Sequence, residues 1–273
     1  MSSLPLLRPL TIGEILDRAI RIYRSHFVLL ISIPLVALVP MTALQVASQF
    51  LWHTTALVDL LQNAFLQVLV SSALVVAVSR AYLAHPPTLK EAYGAATRHY
   101  GSVWGANLLV GLAIILPMVG LACGVITLGP DAGIWMLILL FLLILPYAIF
   151  LGTRWNMVLP GILLEDLGVQ AGLSRSWSLT TGSFWKVFGT SFAASILVIL
   201  LAALPQLAVT YGLGLLLPDT DIVLSIQAVV AQVSLIITLP VSIGVMVVLY
   251  YDLRVRKEAF DLEWQVQQTS PTS

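Results

Sequence analysis

The side chains of this sequence that could carry acid–base, metal or nucleophilic chemistry are 13 carboxylates, 4 histidines and a single cysteine. His26, His53, His85 and His99 stand on separate polar edges of the chain, and none has metal-ligand spacing to another. Cys123 is alone inside an apolar stretch, which excludes an intrachain disulfide and a cysteine-built zinc site and leaves the redox compartment unread. A nucleophile needs a base within hydrogen-bond reach and a third group to orient that base. Serines are plentiful, but no His, Asp or Glu stands in the middle of an apolar segment to activate one. Neither a glycine-rich phosphate loop nor paired carboxylates occur within such a segment. These residues imply no enzyme activity, no bound metal and no cofactor.

The apolar segments do contain amides, among them Gln45, Gln49, Gln62, Asn63, Gln67, Gln206, Gln227 and Gln232. Gln45 with Gln49, and Asn63 with Gln67, are four apart and share a helix face. Two readings stand. The amides can be interhelical hydrogen bonds that hold a bundle together, each worth under about 2 kcal/mol. Alternatively, they line a polar cavity suited to an uncharged or zwitterionic headgroup, opening between the first and third structural units.

The elements that must position these groups follow from composition. Hydrophobic residues make up 59% of the chain and charged residues 10%, with a mean hydropathy of +0.98; an ordinary soluble domain is about 25% charged. The solvent for most of this chain is therefore lipid. The fold class expected is all-α integral membrane, with six segments long enough to cross about 30 Å of hydrocarbon. They lie near Phe27 to Leu51, Val58 to Leu83, Val103 to Leu128, Gly133 to Leu159, Val187 to Leu216 and Ile222 to Tyr251. The first is expected to stay as a span, since the charged stretch before it includes Glu14 and Asp17 and no cleavage site follows. All 13 lysines and arginines fall before the first span, between the second and third, between the fourth and fifth, or after the sixth. The other loops carry only Asp59, Asp131, Asp219 and Asp221. The positive-inside rule then places both termini in the cytoplasm. Net formal charge is zero, which gives no reason to expect a nucleic-acid partner.

A shift of 77 positions lays residues 11–44 on residues 88–121 without a gap, and 10 of these 34 pairs are identical, polar pairs such as Thr11/Thr88, Glu14/Glu91 and Arg21/Arg98 among them. A weaker third copy matches Gly101, Ser102 and Trp104 to Gly182, Ser183 and Trp185. The chain is thus read as three tandem units, about 11–83, 88–160 and 168–251, each an amphipathic helix lying at the membrane interface followed by a two-span hairpin. They form one membrane domain over residues 1–264, with a polar, disordered tail over 265–273. Thr11 with Glu14 and Thr88 with Glu91 have capping-box spacing. The third unit lacks it, so its short helix is bounded only to somewhere within Gly168 to Thr181. Arg18, Arg21, Arg24, Arg98, Arg175 and Lys186 are the candidates to meet anionic headgroups at the cytoplasmic face. Arg154, Trp177 and Trp185 fit an interfacial belt. Prolines at 34, 40, 117, 146, 205 and 240 fall within spans, as packing kinks or as hinges.

Three stretches carry a family resemblance: LRPLTIGEILDRAIRIYRSHF, RWNMVLPGILLEDLGVQAGLSRSWSLTTGSFWKVF and YYDLRVRKEAFDLEW. The pattern rests on Arg8, Pro9, Gly13, Glu14, Asp17 and Tyr23, then on Pro160, Glu165, Arg175, Ser176 and Trp177, and at the end on Asp252, Arg254, Arg256 and Glu258. It resembles the bacterial family of membrane domains associated with glycerophosphodiester phosphodiesterases. The resemblance implies a place in a bacterial cytoplasmic membrane. Some members of that family carry the phosphodiesterase as a soluble barrel with Glu, Asp and His metal ligands; this sequence leaves no room for it. The expected function is a non-catalytic, lipid-interacting scaffold or accessory subunit, or alternatively an uncoupled carrier of a small polar or amphiphilic molecule. The charged C-terminal extension, with Arg254 spaced to pair with Glu258 and Lys257 with Asp261, is expected to be a solvated helix end or a docking site for a membrane or cytoplasmic protein.

Overall fold

A computed structural model describes residues 8–85, 88–128, 138, 140–213 and 220–258. The expected start of the fourth span at Gly133, the end of the fifth at Leu216, Asp131, Asp219, Asp261 and the expected tail lie outside the described residues. The elements described are helical: α1 (Ile12–Ser25), α2 (Phe27–Trp52), α3 (Ala56–Leu61), α4 (Gln67–Tyr82), α5 (Leu89–Arg98), α6 (Tyr100–Leu128), α7 (Leu145–Arg154), α8 (Val158–Leu164), α9 (Val169–Thr180), α10 (Phe184–Leu207) and α11 (Thr220–Glu258). π-helical turns at Gln62–Leu66, Leu140–Ile144 and Ala208–Leu213 join α3 to α4, lead into α7 and extend α10. Six helical segments are long and apolar enough to cross a membrane: Phe27–Trp52, Ala56–Tyr82, Tyr100–Gly120, Leu142–Leu164, Phe184–Gly212 and Asp221–Glu258.

Two of the short helices, α1 and α5, begin at a threonine cap. Thr11 accepts from the Glu14 N–H while Glu14 Oε2 accepts from the Thr11 N–H at 2.8 Å, satisfying two otherwise orphaned donors at the start of α1. Thr88 caps α5 in the same way through the Glu91 N–H, and its hydroxyl donates to Glu91 Oε2 at 2.6 Å. α9 starts after Gly168 with no side-chain cap, within the bounds that its sequence allowed.

Two spans form the centre. In the most apolar stretch of the second span 50% of the side chains are buried, and in the sixth 67%, against 11% to 28% in the other four. The reason lies in side-chain size. Ser72, Ala73 and Ala77 on α4 and Gly244 on α11 let helices approach closely, which is what drives association where lipid is as apolar as leucine. The core runs from Val70 to Tyr82 on α4 and from Val241 to Val255 on α11, and α1, α5, α8 and α9 bury their apolar faces around it through Ile15, Ala19, Ala92, Ala96, Ile162 and Leu179. Gly172 on α9 sits against Ile162 so closely that a Cβ there would stand 2.5 Å from Ile162 Cγ1. Away from this capped end, Val36, Leu44, Leu57, Leu116 and Leu204 remain exposed, as lipid-facing side chains do.

The fourth span departs from the single helix expected from Gly133 to Leu159. It breaks after Arg154 and resumes at Val158, running to Leu164. A break leaves backbone groups without helical partners, and here α9 satisfies them. Ser176 Oγ donates to Arg154 O at 2.7 Å and accepts from the Met157 N–H at 3.1 Å, while Thr180 Oγ1 donates to Arg154 O at 3.3 Å.

Candidate functional site

The ionisable side chains converge at the capped end in two clusters. In the first, the Leu10 peptide is gripped from both sides. Its N–H donates to Asp252 Oδ1 at 2.6 Å, and its carbonyl accepts from Lys186 Nζ at 2.8 Å and from Arg256 at 2.7 Å. Lys186 also pairs with Asp252, and Arg256 Nε meets Asp252 Oδ2 at 2.9 Å. Asp252 is buried, with 1% of its surface exposed, so the two cations and the N–H donor are what make its charge tolerable there. This cluster ties the entry of α1 to α10 and α11.

The second cluster ties α8 and α9 to α11. Arg175 forks onto Glu165 through Nε and NH2, both at 2.8 Å, and also pairs with Glu258. Tyr250 donates to Glu165, and Arg254 Nε meets Glu258 at 3.1 Å. Glu258 first, and then Glu165, hold the Arg175 guanidinium well above its ordinary range, so it stays charged at any working pH. Outside the spans, backbone donation by Thr11 and the Arg8 guanidinium bring Glu14 down to about 2, and the Thr88 hydroxyl, followed by Arg80, lowers Glu91.

A cleft of about 440 Å³ opens where α4, α6, the break in the fourth span and α11 meet. Its polar lining is Asn63, Gln67, Ser71, Asn107 and Asn156, its floor includes Ile243 and Met246, and none of its lining residues carries a charge. Asn107 donates to Val103 O at 3.0 Å and Asn156 to Ser191 Oγ at 3.3 Å. Such a lining matches an uncharged polar or zwitterionic group.

The structure divides the eight amides expected to line one cavity. Asn63 and Gln67 line the cleft. Gln45 instead donates to Asp59 at 2.8 Å, Gln49 to Asp221 at 2.8 Å, and Gln62 to Gln232 at 3.1 Å. Gln227 donates to Thr210 at 3.3 Å. Gln206 Oε1 is buried with no partner among the described residues. The reason for the division is the π-helical turn at Gln62–Leu66, which directs Gln62 to α11 and leaves Asn63 at the cleft between α4 and α6. The cleft is therefore lined mainly by stretches of the expected first and second units, with Ile243 and Met246 of the expected third behind it. Its remaining amides, Asn107 and Asn156, come from the third and fourth spans; sequence reasoning passed over them because a linear sequence does not show that the two side chains meet across the break.

The six candidate headgroup cations also separate. Arg24 and Arg98 are exposed, and Arg21 is exposed in a pair with Asp17. Arg18 is half-buried over the Tyr82 ring at 5.2 Å. Arg175 and Lys186 are instead committed to carboxylates in the two clusters. The charged end of α11 differs likewise from a solvated extension: Asp252 is buried, and Arg254, Arg256 and Glu258 face α1, α8 and α9. The Arg254–Glu258 pair forms as spaced, whereas Lys257 reaches α9.

Six apolar spans packed around a charged, short-helix cap define a multi-pass membrane protein. Among the described residues no three His, Cys, Asp or Glu side chains are placed to hold a metal ion. The chain belongs to the family of membrane domains of glycerophosphoryl diester phosphodiesterase: the model of that family matches residues 129–267, which include the second and third of the three resembling stretches. No curated protein and no solved structure matches the chain.

Proposed function

We propose that this protein is a non-catalytic, lipid-interacting scaffold or accessory subunit of the bacterial cytoplasmic membrane. The observation that carries the reading is the use made of the ionisable groups. At the capped end, Asp252, Lys186, Arg256, Glu165, Arg175 and Glu258 are consumed in cross-links between helices. Those cross-links brace a surface rather than present a reacting group. The cap carries the basic residues of α1, α5 and α9, so the positive-inside rule sets it, and both termini, in the cytoplasm. The three-unit reading has local support: Thr11 and Thr88 cap their helices alike, and Ile15 and Ala92, like Ala19 and Ala96, occupy matching buried positions at the shift of 77. Of the six candidate cations, Arg24, Arg98 and Arg21 are the exposed ones left for anionic headgroups, and the charged C-terminal extension is the place for a membrane or cytoplasmic protein partner to dock. Native mass spectrometry of protein released in gentle detergent tests this directly. Retained anionic lipid or a co-purifying protein supports the scaffold; release as a bare monomer under conditions that keep it folded contradicts it.

The uncoupled carrier is kept as a second reading because of the cleft. An uncharged polar volume of about 440 Å³ beside a broken span is the kind of site at which transporters bind substrate. One chemically uniform small molecule retained at unit stoichiometry, and lost when Asn107 and Asn156 are replaced by leucine, would move the assignment to a carrier.

A further inference from the structure

Arg154 ends α7 in a setting unlike that of the clustered cations. Its guanidinium carbon lies 4.9 Å from the centre of the Trp177 ring, 5.3 Å from Phe150 and 5.8 Å from Phe184. One terminal nitrogen donates to Thr181 Oγ1 at 3.0 Å, while Nε is buried with no partner among the described residues. Lys257, from the last turn of α11, reaches the same corner, where its Nζ donates to Ser178 O at 2.8 Å and to Thr181 O. Among the described residues neither cation is paired with a carboxylate. Glu258, next to Lys257, is already engaged by Arg175 and Arg254. Ring faces orient a guanidinium and attract it, but they leave its charge in place.

An apolar groove of about 590 Å³ starts at this corner. It runs between α7 and α10 past Leu142, Leu145, Ile149, Phe150, Phe184 and Phe188. Phe150 and Phe184 belong both to the groove and to the rings around Arg154. Phe184, Phe188 and Phe192 recur every four residues and stack at 6.4 and 5.8 Å, so the apolar track continues along α10 away from the cations. Charge at one end and a hydrocarbon track leading from it fit one shape of occupant, an amphiphile with an anionic head.

We infer that this corner binds one anionic phospholipid, its phosphate between Arg154 and Lys257 and an acyl chain along Phe150, Phe184 and Phe188. A guanidinium offers planar paired donors to phosphate oxygens and the ammonium adds a point charge. A zwitterionic lipid is disfavoured because it brings a third cation to a corner that already holds two. This assignment rests on the lipid-interacting reading above and gives that reading an address.

Native mass spectrometry with added phosphatidylglycerol, phosphatidylcholine of the same acyl chains, or inorganic phosphate tests it on the full chain. One phosphatidylglycerol per chain is expected to bind more tightly than phosphatidylcholine. Lys257→Gln and Arg154→Gln should each weaken it about fivefold, the effect of one basic residue at an anionic surface. Ile149→Trp should weaken it by filling the groove with both cations intact, and Lys90→Gln, an exposed cation elsewhere, should change nothing. Thermal melts identify any variant that unfolds; Lys257→Gln and Ile149→Trp, both at exposed positions, carry the test if Arg154→Gln does. Equal binding of the two lipids, unchanged phosphatidylglycerol binding in Lys257→Gln and Ile149→Trp, or full displacement by inorganic phosphate overturns the lipid site. Retention in wild type and in these variants alike overturns this site alone. A wild-type protein that retains no lipid overturns the lipid-interacting reading as well.

Discussion

Tyr251 and Gln232 lie on the same helix and show how its two ends are built. Tyr251 stacks on Tyr82 at 5.1 Å, hydrogen-bonds Ser79 at 2.7 Å and is buried among α1 and α4 side chains. Gln232 accepts one bond from Gln62 across to the second span and keeps a buried amide nitrogen with no partner among the described residues. In lipid the hydrophobic effect does not press apolar helices together. At the capped end, short amphipathic helices that lidded the core supplied packing, and buried ion pairs fixed their positions. At the other end the spans leave their apolar side chains to the surrounding lipid and meet through isolated amide and aspartate bonds. The protein's stability is therefore concentrated at one end.

Substitutions at the two ends should differ accordingly. Asp252→Ala strips the partner from Lys186 and Arg256 and the acceptor from the Leu10 N–H. It should cost about 3–5 kcal/mol, the usual penalty for leaving a buried charge uncompensated, read as the largest fall in thermal midpoint of the series. Gly172→Ala forces a methyl group against buried Ile162 and should cost about 1–3 kcal/mol by overpacking. Ser176→Ala orphans the Met157 N–H in the broken fourth span and should cost a similar ~1–3 kcal/mol. At the opposite end, the Gln62→Leu, Gln232→Leu pair should change stability by under about 2 kcal/mol, since both partners of the bond leave together. A larger loss there than at Asp252 would reverse the comparison.

The smallest effect is on pH. Glu14 is held at about 2 against an ordinary 4.5, so the folded state binds its proton less readily than the unfolded one. The stabilisation is complete above 4.5, declines as pH falls below it and is gone once pH passes below about 2. Glu91 shifts in the same direction. Proteolysis of the α1 entry, followed across that window, should accelerate toward the acid side in wild type and be flat in Glu14→Gln.

The spans and the short helices were legible because their signals are local: long apolar runs, and Thr–Glu pairs three apart before an amphipathic stretch. What those helices do with their charges was not. Arg175 and Lys186 read as headgroup cations and Asp252 as part of a solvated end, since a linear sequence does not show that Leu10 lies beside Asp252 or Glu165 beside Glu258. The polar positions that carried the family resemblance, among them Glu165, Arg175, Ser176, Asp252, Arg254, Arg256 and Glu258, are largely the cross-linking residues. Of the cleft, Asn63 and Gln67 were visible as a shared helix face. Asn107 and Asn156 were not, because their convergence depends on a helix break stabilised from another element.

The central claim is that the buried charges hold helices together rather than react with a substrate. A double-mutant cycle on Asp252 and Lys186, with Asp252→Asn, Lys186→Met and the pair measured by thermal unfolding, tests it most directly. The account predicts large single losses and a double variant much closer to either single than to their sum, with retained lipid unchanged wherever the protein is folded. Small, additive losses accompanied by disappearance of a retained ligand would show that these charges serve a binding or reaction site and contradict the account.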